Sequence, residues 1–291
     1  MNKPLYSLDL SSLESISDTA IQHSIKALES GQVVYCPHYC FRLNSTEHTL
    51  LSESVLHPKH KNISYDFTTN KLAGVNATSS VEQSELMKAF MHRYAKYSHQ
   101  LVTALIPAYA NHLKWGRTSY RPAEIKNRPT SKRKDDTRLH VDAFSATPVY
   151  GQRILRVFCN INPHNQPRTW ELGEPFSQVI KTFSNKIPAY SPIRAKWLHW
   201  IKATKTQRSH YDHLMIHLHD KMKLDNRYQQ TTPKHRIEFP AQSSWMVFTD
   251  SVSHAALGGQ YLLEQTFYLP VSAMDNPNLS PLKQWESLKS L

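Results

Sequence analysis

His140-Val141-Asp142 sets an imidazole and a carboxylate two positions apart. In an extended chain residues i and i+2 project from the same face, so both side chains can reach one ion. A third donor stands far downstream: His254, in Asp250-Ser251-Val252-Ser253-His254-Ala255, lies just after one strand-like run and before another. Two imidazoles and a carboxylate on one face of an octahedron leave three coordination positions open. That donor set suits Fe(II), and the open positions suit a cosubstrate and O2. A bare H-x-D is weak in a chain with 17 histidines, and a strand histidine simply paired with an acid is the competing reading.

If the cosubstrate is 2-oxoglutarate, its distal carboxylate requires a cation. Many such oxygenases place an Arg or Lys shortly after the second histidine. Here Glu264 and Gln265 occupy that region, and no basic residue follows His254 before Lys283. The alternative is the strand after the H-x-D, which carries Arg153 and Arg156. Alternation puts Arg156 on the face of Phe158 and Asn160, and Arg153 on that of Leu155, Val157 and Cys159. An interior guanidinium needs a paired carboxylate, so Arg156 is the candidate, with a structural salt bridge as its other reading. A second histidine cluster runs from Ser209 to Asp220. His213 and His217 could bind zinc from a helix, but no Glu accompanies them as in H-E-x-x-H. A helix with solvent- or substrate-facing histidines is expected.

The elements that must position these residues follow from pattern. Ser11-Ser12-Leu13-Glu14 has the form of a capping box, followed by Ile16, Ala20, Ile21, Ile25 and Leu28 on one helical face, with Gly31 as the stop. A short strand over 32–37 comes next. Ser79 and Ser80 open a second helix whose stripe of Leu86, Phe90, Tyr94, Tyr97 and Leu101 runs to about Pro107. Residues 114–138 are rich in Lys and Arg, with Pro122 and Pro129, and are expected to form an irregular basic loop. Strands are expected at 138–144, 153–161, 236–240, 244–249, 255–257 and 261–269, with a helical insertion over about 174–225. Helices first, then β-rich text interrupted by helices, predicts an α+β protein with an antiparallel barrel or jelly-roll core. It is expected to be one domain over 1–291, helical over about 1–113 and jelly roll over about 114–270.

Composition narrows the partners. With 35 Lys+Arg against 23 Asp+Glu the net charge is +12, which favours polyanions: nucleic acid, an anionic membrane surface or an acidic substrate. Cys36, Cys40 and Cys159 are too few for a disulfide framework, and Cys36 and Cys40 are expected to be buried thiols. The first residues carry no apolar leader, and no run is long enough for a membrane span. A cytoplasmic location is expected.

Several longer motifs point to one family. Arg138-Leu-His140-Val-Asp142-Ala-Phe144, Arg153-Ile-Leu-Arg156-Val-Phe-Cys-Asn160-Ile-Asn162-Pro163 and Pro167-Arg168-Thr-Trp170 resemble the Kdo hydroxylase family. So do Tyr211-Asp-His-Leu-Met-Ile-His-Leu-His219-Asp220 and Val247-Phe-Thr-Asp250-Ser-Val-Ser-His254, and the resemblance extends from about Ser24 to Pro270. It implies a double-stranded β-helix that uses Fe(II), 2-oxoglutarate and O2 to hydroxylate C3 of 3-deoxy-D-manno-oct-2-ulosonic acid (Kdo). The implied substrate is a Kdo-lipid A glycolipid of lipopolysaccharide assembly, met peripherally at the cytoplasmic face of the inner membrane. It also implies His140, Asp142 and His254 as metal ligands and Arg156 as the cosubstrate arginine. Kdo carries a carboxylate and lipid A carries phosphates. Arg121, Arg168 and the run Lys132-Arg133-Lys134 are therefore candidates to hold anions, while Tyr120 and Trp170 could stack on sugar faces. Nucleic acid is then not expected as a partner. The rival readings are a non-enzymatic basic protein that binds RNA or anionic lipid, and a jelly-roll dioxygenase with another substrate.

Overall fold

Two β-sheets face each other across an aromatic layer. The computed structural model describes residues 3–14, 16–124 and 130–289. The larger sheet runs, edge to edge, β1 (Leu5–Ser7), β2 (Val33–Cys36), β9 (Ser243–Phe248), β6 (Arg153–Asn160), β11 (Leu262–Leu269), β5 (Lys114–Arg121), β3 (Ile63–Asp66) and β4 (Lys71–Ala73). The smaller runs β10 (His254–Gly258), β7 (Arg168–Leu172) and β8 (His235–Phe239). Every pairing is antiparallel except β1 with β2. This is the expected jelly roll. Along its strands, alternate residues turn into the layer between the sheets, where Trp245 stacks on Phe239 at 4.0 Å and on Phe158 at 5.3 Å.

The other face of the large sheet is covered by the two N-terminal helices, α1 (Asp18–Glu29) and α2 (Val81–Leu105). Leu101, Val102 and Leu105 of α2 pack with Leu155, Val157 and Met246 of the sheet. The Tyr94 hydroxyl donates to the Val157 carbonyl at 2.9 Å. Four helices fill the connection between β7 and β8: α3 (Phe176–Phe183), α4 (Pro192–Trp200), α5 (His210–Leu224) and α6 (Asn226–Thr231). A C-terminal α7 (Pro281–Lys289) packs against them through Trp285.

The structure departs from the sequence reading in five respects. Helix α1 starts at Asp18 with Ser17 as its cap, because Ser12 instead closes a local turn onto the Glu14 amide. Its stop is as expected, with Gly31 at φ +84° and the Gln32 amide reaching back to the Ala27 carbonyl. The segment from 114 is not a loop throughout: β5 is a central strand. A register shift on β11 near Thr266 accommodates Gly116, whose absent Cβ would lie 2.8 Å from the Thr266 carbonyl oxygen. That bulge breaks the two-residue alternation that would have revealed the strand. Lys126, Arg128 and Pro129 of the same segment lie outside the described residues. Residues 138–144 form no strand; His140 makes one isolated bridge to His254. The strands β1, β3, β4 and β7 and helices α6 and α7 have no counterpart in the sequence reading. The three cysteines are free; Cys40 is only half-buried and faces Cys159.

Trp245 is fully buried at the centre of the inter-sheet layer. Trp245→Ala is expected to cost roughly 3–5 kcal/mol of stability, read as a lower urea midpoint with an unchanged slope. A loss under about 1 kcal/mol would mean that the two sheets do not depend on this contact.

Candidate metal centre and its cavity

The backbone brings the two distant histidines together. The amide of His140 donates to the carbonyl of His254 at 3.0 Å, and that of His254 to the carbonyl of His140 at 2.9 Å. The Asp142 amide donates to the Thr249 carbonyl at 2.8 Å, so the H-x-D segment is held on both sides of Val141. Each imidazole is then oriented by its own chain. His140 Nδ1 lies 2.8 Å from the Arg138 carbonyl, and His254 Nδ1 2.8 Å from the Val252 carbonyl. A carbonyl only accepts, so Nδ1 carries the proton and Nε2 presents its lone pair. Trp170 stacks on His254 at 5.0 Å and fixes its plane. Burial, then the neighbouring His254, pulls the His140 pKa down to about 3, and burial lowers that of His254 as well. Both rings are neutral, as ligands must be.

One donor atom from each of His140, Asp142 and His254 lies within 4.8 Å of the others; among the described residues no other group of His, Cys, Asp and Glu converges in this way. His140 Nε2 stands 3.6 Å from Asp142 Oδ1, too far for a hydrogen bond. Asp142 Oδ2 is buried without a hydrogen bond, although Arg156 Nε is 3.2 Å away in an ion pair. Burial pushes the Asp142 carboxyl up, but Arg156, His140 and His254 together outweigh it and hold the group well below the usual carboxylate range. A buried carboxylate and two buried lone pairs aimed at one point suit a divalent cation.

A cavity of about 360 Å³ opens onto this centre. Its wall is a ladder of charges on neighbouring strands. Arg156 Nη1 meets Glu264 Oε1 at 3.1 Å, and Arg121 Nη2 meets Glu264 Oε2 at 3.2 Å. Arg168, only 3 % exposed, donates to the Gly259 carbonyl at 2.8 Å, while its Nε has no hydrogen-bond partner. Burial and the nearby Arg121 pull its pKa down to about 9. From α5, Lys223 reaches the same wall beside Asp136, at 3.5 Å.

The strand parity read from the sequence holds. Arg156 lines the cavity, whereas Arg153 is fully buried on the opposite face, 2.8 Å from Asp250 and 3.8 Å from the centre of the Phe248 ring. Arg121, Arg168, Arg133 and Lys134 also line the cavity, but Lys132 turns away towards Asn226. Two expectations fail. Tyr120 is fully buried against Phe90, and its hydroxyl donates to the Leu50 carbonyl, because alternation along β5 turns it away from Arg121. Trp170 does border the cavity, but its ring is covered by His254 and by edge contacts to Phe158 and Trp245, leaving no face for a sugar. Of the second histidine cluster only His219 lines the cavity, edge-on to His140; His213 and His217 meet in a tilted ring contact outside it. Glu264 and Lys223 were missed. Glu264 shares the inward parity of Leu262 on its strand, which could have found it.

No helix among the described residues is long and apolar enough to cross a membrane. Residues 12–290 match the family model for 3-deoxy-D-manno-oct-2-ulosonic acid (Kdo) hydroxylase. Among curated protein sequences none matches significantly. Solved structures of the Kdo hydroxylase KdoO, a non-heme Fe(II) alphaketoglutarate-dependent dioxygenase, are similar over nearly the whole chain. The cobalt(II) complex is 43 % identical with a TM-score of 0.95, covering 99 % of this chain and 96 % of that one. The complex with alphaketoglutarate and Fe(III) is 42 % identical with a TM-score of 0.94 over the same shares. With its jelly roll, its converging His-Asp-His donors and these matches, the chain belongs to the Kdo hydroxylase family.

Proposed function

We propose that this protein is an Fe(II)- and 2-oxoglutarate-dependent dioxygenase that hydroxylates C3 of Kdo on a lipid A precursor at the cytoplasmic face of the inner membrane. The observation that carries the reading is the convergence of His140, Asp142 and His254 within 4.8 Å at the floor of a cation-lined cavity. These three hold the iron, each imidazole through Nε2. Bound iron, with 2-oxoglutarate and O2, supplies the oxidative chemistry that replaces a C–H bond by C–OH. The remaining work belongs to the chain. Arg156 has five N–H groups, and those not taken by Asp142 and Glu264 are assigned to the distal carboxylate of 2-oxoglutarate. Arg121 and Arg168, with the lysines at the rim, take the carboxylate and phosphates of the substrate. Burial of these cations strengthens each contact and keeps water from the reacting carbon.

Anaerobic addition of Fe(II) and 2-oxoglutarate to the protein should give a weak visible charge-transfer band. Alanine at His140, Asp142 or His254 should abolish both the band and turnover, and paired replacements should be no worse than single ones, since each disables the same ion. Any of the three retaining iron-dependent turnover near the wild-type rate would remove it from the ligand set.

Arg156→Ala breaks a buried charged contact on one side, at a cost of roughly 2–5 kcal/mol, so the apparent KM for 2-oxoglutarate should rise about 30-fold or more. Arg156→Lys should restore only part, lacking the planar fork. Arg153→Ala should leave that KM nearly unchanged but cost stability, since it strands Asp250. Arg168→Ala should raise the KM for the Kdo substrate instead. Steady-state kinetics with the other substrate saturating separates these cases. If Arg168 proves to control the 2-oxoglutarate KM and Arg156 does not, the two anion assignments exchange places.

A further inference from the structure

Residues 175–211 contain seven Lys and Arg and no Asp or Glu, against a net charge of +12 for the whole chain. In the middle of this stretch lies α4. Its one buried residue is Ala195, Leu198 is half-buried, and the rest of the helix is exposed. Ile193 is 81 % exposed, Trp197 54 %, Trp200 79 % and Ile201 43 %. Their spacing of i, i+4, i+7 and i+8 puts all four on one face. Scattered exposed apolar residues need no explanation, but two tryptophans and two isoleucines forming one face do. Arg194, Lys196, Lys202 and Lys205 surround that face, all exposed.

The helix is held in a set attitude. Ser191 caps its start by accepting from the Arg194 amide. At its end Lys202 adopts φ +57°, and the Ala203 amide returns to the Leu198 carbonyl at 3.0 Å. Beyond it, the Lys205 amide donates to the Ala146 carbonyl at 2.9 Å, and Arg208 Nη2 to the Ser145 carbonyl at 2.7 Å. Ser145 lies three residues after Asp142. The exposed face is thus tied to the loop that leaves the metal centre.

We propose that α4 is an interfacial docking helix that seats this protein on an anionic phospholipid surface. Ile193, Trp197, Trp200 and Ile201 enter the headgroup–acyl boundary, and the surrounding cations meet lipid phosphates. A nucleic acid would use the cations but gain nothing from the two isoleucines. A second copy placed face to face on α4 would bring two basic collars together. The proposal rests on a lipid-borne substrate only in that it gives the docking a purpose, and turnover of a water-soluble Kdo oligosaccharide reports catalysis separately.

The test uses the full chain with phosphatidylcholine vesicles, with and without phosphatidylglycerol, and with brominated acyl chains as quenchers. Trp170, Trp245 and Trp285 are buried, and the half-buried Trp115 is stacked on Phe67 and His99, so bromine quenching that disappears when Trp197 and Trp200 are replaced reports on those two. Binding to anionic vesicles, with quenching, is expected, weakening as salt shortens the Debye length from about 10 Å at 0.1 M to about 3 Å at 1 M. The double variant Trp197→Ser, Trp200→Ser should bind at least about tenfold more weakly and lose the quenching, while its turnover of the soluble substrate stays unchanged. Lys196→Glu with Lys202→Glu, which keeps both tryptophans, should lose the preference for anionic vesicles. Unquenched fluorescence, or vesicle binding by the double tryptophan variant equal to wild type, would overturn the proposal. So would RNA binding that competes with vesicles and survives the tryptophan replacement, which would assign the patch to nucleic acid.

Discussion

The reciprocal backbone hydrogen bonds between His140 and His254 are the contact on which the site depends. They are a single bridge, not a ladder, yet they join two segments far apart in sequence at the residues that must meet. Antiparallel partners at such a bridge sit close enough for side chains to touch, and the two rings have centroids 4.5 Å apart. The bridge also lets each chain orient its own imidazole, because the carbonyl two residues earlier is free to take Nδ1–H. The jelly roll around it works as a clamp. The small sheet carries β10 with His254, and Trp170 on β7 supports that histidine from beneath.

Gathering charge in a low-dielectric space is the second constraint. Unpaired buried charges cost several kcal/mol each, so the cavity wall alternates sign: Asp142, Arg156, Glu264, Arg121. Arg168 and Lys223 stand outside that strict alternation, Lys223 beside Asp136, and burial lowers both of their pKa values. A wall that carries Arg121, Arg156, Arg168 and Lys223 is suited to a ligand bearing carboxylate and phosphate.

Much of this was legible beforehand because it depends on short-range periodicity. The inward parity of Arg156 and the outward parity of Arg153 follow from alternation on a regular strand, and the insertion helices from their apolar spacing. Reading failed where a local irregularity hid the period. The bulge at Gly116 and Arg117, which together oppose Thr266, concealed β5, and with β5 unseen, nothing could say that Tyr120 faces α2 while Arg121 faces the cavity. The segment at His140 has the composition of a strand, but it finds only one bridge partner.

The sequence by itself determined which residues could act: two histidines and an aspartate able to share an ion, an arginine on the right strand face, and an excess of basic charge. Residue type and period are local properties, and local rules suffice to read them. Only the tertiary structure decided which of these meet. The face of Trp170 is taken up by His254 rather than left for a sugar, and Glu264 joins two arginines from different strands. Lys223 arrives from a helix of the insertion, and Trp197 and Trp200 remain outside. Each outcome depends on contacts between residues distant in the chain, and no local pattern records which surfaces folding covers.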